Sequence, residues 1–302
     1  MKRCLMQGAT GGLSARVSDA LASPYGSALR SDKQPVAPGD GGKTMGLSRL
    51  PPTSERARYV RQMFAAVAPR YDLLNHLLSG GLDHRWRSRA AAVCLRATEH
   101  LGHPLVLDVC CGTGDLGLAV LARRPAARLI ACDSSGPMLA RARRKLARAH
   151  RTGRAAVLES DALALPLADG CVDAVVCGFG LRNLADVHRG AAEMIRVLRP
   201  GGAVVILEFH RPQSRRAGTR RGERAGAPAS AFGLYFRRIL PRLGGWISGE
   251  GHGGYAYLVD SIEAFGPVRG AADLLRDAGA EAIRIEPLPG GIASVLTGRK
   301  PC

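Results

Sequence analysis

The feature that most restricts this chain is an alternation that begins near residue 105. Short, almost uninterrupted apolar runs ("LVLDV", "RLIACD", "AAVLES", "VDAVVCGF" and "AVVILEF") are separated by stretches with helical spacing. Those stretches start at about Asp115, run from Gly136 to His150, and lie around Ala185 to Leu198. A strand apolar on both faces must be covered on both, and an intervening helix supplies the crossover that a parallel pair needs. With the late segments "AIRIEP" and "ASVLTG", the pattern predicts an α/β fold with a doubly wound, mostly parallel, seven-stranded sheet. In such sheets ligands sit beyond the carboxyl ends of the strands.

Upstream, Val60, Met63, Phe64 and Val67 share one helical face that Pro69 ends. Leu73, Leu74, Leu77 and Leu78 start a second helix, which stops at Gly80–Gly81, so a helical N-terminal cap is expected. Residues 1–54 are rich in Gly, Ser, Ala and Pro without periodicity, and disorder is expected there. Basic residues with few acids suit an organelle presequence, and Met45 suits a start assigned too early; both readings stand. Residues 55–302 form the predicted catalytic domain. Its alternation breaks over 211–266, where the arginine-rich "RPQSRRAGTRRGER" precedes "FGLYFRRILPRLGGWISG", and a lid is predicted.

Composition excludes several classes. Lys and Arg number 43 against 25 Asp and Glu, a net charge of +18, but aromatics are only 5% and no nucleic-acid signature is present. Nucleic acid is therefore not an expected partner. Eight cysteines, none in C-x-x-C or another metal spacing, read as reduced thiols, with no metal expected. No apolar run approaches the roughly 18 to 20 residues of a membrane span.

Directly after "LVLDV" come Gly112, Gly114 and Gly117, spaced as G-x-G-x-x-G. Gly112 and Gly114 allow the backbone to approach a ligand closely, Asp108 precedes them, and Asp133 ends the second strand where a carboxylate accepts from both ribose hydroxyls. These fit NAD and S-adenosylmethionine alike. Asp161–Ala162, after the third strand, can present a carboxylate and an N–H to an adenine edge. Asp115 places an acid where a dinucleotide would seat its pyrophosphate. Alone it serves equally as a helix-dipole cap. Together with "RVLRPGG" before the fifth strand, these residues match a class I methyltransferase that uses S-adenosyl-L-methionine as methyl donor.

The stretches "MFAAVAPRYDLLNHLLSGGLDHRWR", "LDVCCGTGDL", "DALALP", "GFGLRN", "EMIRVLRPGG", "LEF" and "YAYLVDSI" follow one another in this order. Together they resemble the menaquinone/ubiquinone-biosynthesis C-methyltransferase family over about residues 56 to 300. The resemblance implies methylation of a ring carbon on a polyprenylated quinol, demethylmenaquinol before the ubiquinone-pathway benzoquinol. A non-catalytic scaffold in a quinone-synthesis complex is the other reading. Thr113, Asp133 and the Asp161–Ala162 pair would then line the cofactor, and Gly178 stands where many members carry Ser. His210 similarly replaces a small polar residue after "LEF". A homodimer or a biosynthetic complex stays open as the assembly.

Ring carbon is nucleophilic enough only in the quinol form, as its phenolate. Ionising a phenol of reference pKa about 10 near neutrality needs about 3 units, or roughly 4 kcal/mol. One hydrogen bond to a charged group contributes about 1.5 to 3 kcal/mol, so two donors are required. Arg182 and Asn183, after the fourth strand, are the expected donors, with Tyr71 orienting the ring or relaying the proton. His76, His84 and His188 are candidate bases by residue type alone. Extracting a polyprenyl tail into water costs about 0.8 kcal/mol per CH₂, so a peripheral site at the membrane surface is expected. The setting would be the cytoplasmic face of the inner membrane, or the mitochondrial matrix face if residues 1–54 are a presequence. Trp86 and Trp246, near arginines, are candidate interface residues.

Overall fold

A computed structural model of the chain describes residues 50–149, 154–211 and 253–302. Residues 1–49 of the extension expected to be disordered, most of the predicted lid and Trp246 therefore lie outside the described residues, while Thr53 and Ser54, placed in that extension, are helical.

Three helices precede the sheet: α1 (Thr53–Val67), α2 (Tyr71–Ser79) and α3 (Leu82–Ala97), with a 3₁₀ turn at Ala68–Arg70 between the first two. α1 starts well before Tyr59. It buries no residue fully, whereas α2 ends at Gly80, which takes φ +58 as a left-handed cap. α3 is a helix that the apolar pattern did not announce, because its buried face mixes Trp86, Ala90, Ala91 and Cys94 with Asp83 and Arg87.

The wound core follows as β1 (Leu105–Val109), α4 (Asp115–Arg123), β2 (Arg128–Asp133), α5 (Gly136–Ala149), β3 (Ala155–Glu159), β4 (Val172–Gly178), α6 (Val187–Arg196) and β5 (Leu198–Phe209). Then come α7 (Gly253–Phe265), α8 (Val268–Asp277), β6 (Glu281–Pro287) and β7 (Ala293–Arg299). The helix expected from Ala185 starts at Val187 because the Asp186 side chain caps it, accepting from the Arg189 N–H. α7 and α8 went unread; α7 falls inside the predicted lid.

The sheet has seven strands in the order β3-β2-β1-β4-β5-β7-β6. The first five pair in parallel, and β7 inserts antiparallel between β5 and β6. Every residue of β1 is buried, as a strand covered on both faces requires. One apolar layer packs α6 and α8 against the sheet around Leu107, Val175 and Met194, and the other packs α3, α4 and α5 around Trp86, Leu116 and Leu139. Winding reverses between β1 and β4, so their exit loops diverge and open a cleft.

Candidate active site

Both strands at that reversal end in strain. Cys110 and Phe179, each one residue past its strand, have φ of 55° and 60°. For side-chain-bearing residues this costs of order 1–3 kcal/mol and persists only where packing enforces it. Phe179 is held by stacking on Phe209 at 4.4 Å, by Arg87 over its ring at 5.5 Å, and by its N–H to the Leu207 carbonyl. The two turns give the cleft its floor.

The cleft is lined from four strand ends: Gly112 after β1, Asp133 and Ser135 at and after the end of β2, Asp161 and Ala162 after β3, and Gly178 and Asn183 at and after the end of β4. Ala57, Val60, Arg61 and Phe64 of α1 and Tyr71 of α2 form the outer wall. Asp133 organises the inner end. One carboxylate oxygen accepts from the Gly112 N–H and the other from the Ser135 N–H, both at 2.9 Å. Burial raises its carboxyl above the ordinary value, against the pull of those amide bonds. A Cβ at 178 would lie 3.1 Å from Leu116 Cδ2, so the glycine relieves crowding at the wall.

Several residues expected at the cofactor turn away from it. Asp108 is buried beneath the glycine loop, accepting from the Gly117 N–H at 2.9 Å, and desolvation pushes its carboxyl up to about 7. Gly114 caps α4 with φ +86 and backs onto Ala142. Thr113 is buried; its hydroxyl donates to Asp72 at 2.6 Å and accepts from Lys145 at 2.9 Å. Asp108, Thr113 and Gly114 therefore shape the loop and do not line the cleft. Asp115 pairs with Lys145 at 2.6 Å, so its charge is compensated and the repulsion argument against a pyrophosphate does not hold in that form.

A different observation takes its place. The N–H groups of Gly112, Gly114 and Gly117 already donate to Asp133, the Cys111 carbonyl and Asp108. These three glycine amides are thus engaged by the protein's own acceptors and are not free for a diphosphate. The polar lining of the cleft includes the carboxylates of Asp133 and Asp161, the Arg61 guanidinium, and Asn183, whose Oδ1 is buried without a hydrogen-bond partner. Ser135 Oγ is likewise buried and unpartnered. This set of carboxylates, one guanidinium and hydroxyls fits a nucleoside with ribose hydroxyls and a zwitterionic amino-acid tail.

The three proposed catalytic residues separate. Tyr71 lines the cleft, edge-on to Phe64 at 5.9 Å, and burial raises its phenol so that it remains protonated, a donor and not a base. Asn183 lines it too, its Nδ2 donating to the Phe179 carbonyl at 3.1 Å. Arg182 does not. Only 8% exposed, it donates from Nη1 to Glu208 Oε1 at 2.5 Å and to the Phe179 carbonyl at 2.8 Å, and from Nε to Ser261 at 3.3 Å. Its side chain instead walls a second cleft, with His188, Tyr257 and Ser261. The turn Leu181–Asn183 thus divides the two clefts.

His76 and His84 stack at 4.0 Å beside Asp83, away from the cleft. These three place ligand-type atoms within 4.8 Å of one another, but Asp83 is already bonded by His76, Ser79 and Arg87. Trp86 is 1% exposed and its indole donates to the Pro289 carbonyl, so it is core and not an interface residue. His210 bonds Ser294 at 2.8 Å, in the polar position the resemblance assigns. Glu208, Lys145 and Asp72 were missed. Glu208 was findable: an acid inside "VVILEF" has no solvent and needs a cation.

The winding, the cleft at the strand ends with Asp133 at its inner end, and the engaged glycine amides define a class I S-adenosylmethionine-dependent methyltransferase. Residues 53–300 match the model of the ubiE/COQ5 methyltransferase family. The chain belongs to that family. It is 45% identical over 244 residues, 79% of this chain and 100% of the relative, to the demethylmenaquinone methyltransferase of Thermus thermophilus. It is 41% identical to that of Deinococcus radiodurans, covering 82% of this chain and 94% of the relative. It is 38% identical to the ubiquinone/menaquinone biosynthesis C-methyltransferase UbiE of Geobacter sulfurreducens, covering 82% and 90%. Among solved structures, the [4+2]-cyclase SpnF superposes with a TM-score of 0.55 at 21% identity, covering 84% of this chain and 99% of that one. That likeness is one of fold, and a cyclase shares it; the activity rests on the family match.

Proposed function

We propose that this enzyme methylates a ring carbon of a polyprenylated quinol, demethylmenaquinol in preference to a benzoquinol. The observation that carries the reading is the 45% identity to the demethylmenaquinone methyltransferase of Thermus thermophilus across that protein's entire length. The benzoquinol alternative is supported by relatives such as that of Geobacter sulfurreducens, whose name carries both quinones.

S-adenosylmethionine, when bound, supplies an electrophilic methyl group. The chain contributes alignment, which is worth up to roughly 7 to 11 kcal/mol for well-oriented groups. Asp133, fixed by two backbone N–H groups, would hold the ribose, and Asp161–Ala162 the adenine. Tyr71, kept protonated by burial, would donate to the developing phenolate in place of the expected pair, since Arg182 and the Asn183 Nδ2 are spent on Glu208 and the Phe179 carbonyl, and the Asn183 Oδ1 would orient the ring by accepting from a hydroxyl. Arg182, committed to Glu208, would act by holding the 3₁₀ turn that presents Asn183.

The site would work at a membrane surface. No helix among the described residues is long and apolar enough to cross a membrane. Leu73 and Leu77 of α2 are 54% and 47% exposed, on the helix that begins with cleft-lining Tyr71, and the whole chain carries a charge of +18. Residues 55–302 would serve as the catalytic unit, cytoplasmic at the inner membrane or matrix-facing if the extension targets it. The test offers the purified protein both reduced quinols with methyl-labelled cofactor. Label on a naphthoquinol ring carbon supports the reading; label only on the benzoquinol favours the alternative; label on oxygen overturns both.

A further inference from the structure

α1 poses a mechanical question. It supplies much of the outer wall of the cleft, yet none of its residues is fully buried. An element with so little core burial opens easily unless something else holds it.

α5 provides that hold. It starts directly behind the Asp133–Ser135 loop and presents Arg141 and Lys145 one turn apart on the same face. Arg141 Nη2 donates to the Pro69 carbonyl at 2.6 Å, in the turn joining α1 to α2. The Lys145 ammonium reaches Asp72 Oδ2 at 2.7 Å, Asp115 Oδ1 at 2.6 Å and Thr113 Oγ1 at 2.9 Å. Thr113 closes the ring by donating to Asp72. One ammonium therefore joins the cap, the glycine loop and α5. The two grips fall at residues 69 and 72, on either side of Tyr71, a cleft residue beside the glycine loop: a Cβ on Gly112 would lie 3.8 Å from its ring. Arg141, Lys145, Asp72 and Thr113 do not line the cleft, so holding cofactor directly is not their task.

We propose that Arg141 and Lys145 are positioning residues that clamp the α1–α2 cap shut over the cleft and so set how fast cofactor leaves it. This deepens the methyltransferase reading and rests on it. Lys145 and Asp72 are each about one quarter exposed, so the clamp is open to ionic screening. Release of cofactor then requires these bonds to break, and accelerates with salt.

The test follows dissociation of labelled S-adenosylhomocysteine after dilution into excess unlabelled ligand. Lys145→Met is expected to speed release roughly tenfold, the equivalent of about 1.4 kcal/mol. It should also abolish the salt dependence that the wild type shows, and Lys145→Arg should restore most of the residence time. Asp72→Asn, a near-isosteric change, reaches the same bond from the cap side should Lys145→Met fold poorly. Release within twofold of wild type in both variants, whatever their melting temperatures, overturns the clamp. Hydrogen exchange separates its failure from failure of the cofactor reading. In the ligand-free protein, Lys145→Met and Arg141→Met must raise exchange across residues 57–75, and unchanged exchange refutes the clamp even if no nucleoside binds.

Discussion

Arg182 and Glu208 meet inside the protein, Nη1 to Oε1 at 2.5 Å, the one from the turn after β4 and the other from the end of β5. Their side chains are 5% and 1% exposed, so neither charge has water to fall back on. Removing one partner of such a pair strands the other, at about 3–5 kcal/mol. Arg182→Ala should therefore lose stability of that order in urea unfolding, as well as activity. Adding Glu208→Gln should recover part of the loss. An Arg182→Ala protein as stable as wild type would mean that the pair does not form in solution.

Asp108 gives the chain a pH signature. Its carboxyl is raised from 3.8 to about 7, so the folded chain keeps a proton that the unfolded chain has released between those values. Its contribution is fully present below about pH 4 and lost as pH rises through 7, with a ceiling of roughly 4 kcal/mol for 3 units. Asp108→Asn lacks that titration. The difference in melting temperature, variant minus wild type, should grow in favour of the variant from pH 5 to pH 8. A constant difference would contradict the burial of this group as an acid.

Tyr71→Phe keeps the ring that faces the glycine loop and deletes only the hydroxyl. Loss of one bond to a charged oxygen, about 1.5–3 kcal/mol, predicts a kcat lower by roughly 10- to 100-fold. Affinity for S-adenosylhomocysteine should stay within about threefold. An unchanged kcat would remove Tyr71 from the chemistry and leave it as wall.

The exposed Leu73 and Leu77, on the helix that begins with cleft-lining Tyr71, predict recovery of the protein with anionic vesicles at low salt. Leu73→Glu should weaken that recovery while leaving turnover of a tail-less quinol intact. No flotation of the wild type at low salt would contradict the membrane placement.

The wound sheet was legible in the sequence because its strands, buried on both faces, leave continuous apolar runs. Gly112, Asp133, Asp161, Ala162 and Gly178 were legible as cleft residues because each ends or follows a strand. The roles of their neighbours were not. Asp108 lies on a strand, where successive side chains point to opposite sides, and it faces Gly117, not the ligand. Thr113 and Asp115 turn outward to Lys145, 30 and more residues along the chain. α3 stayed hidden because its buried face includes Asp83 and Arg87, which satisfy each other one helical turn apart. Arg182 could be placed by its motif, but its freedom depended on Glu208, a pairing that only the fold creates.

The central claim is that this cleft is built for a single adenosine nucleoside and not for a dinucleotide, with three glycine amides of its loop already occupied and Asp133 held ready for ribose. Calorimetric titration of the purified chain with S-adenosylhomocysteine and, separately, with NAD tests it most directly. The account predicts saturable binding of S-adenosylhomocysteine that Asp133→Ala weakens at least tenfold, roughly one charged hydrogen bond, and no heat with NAD. Binding of NAD by the wild type, or equal affinity of Asp133→Ala for S-adenosylhomocysteine, would contradict it.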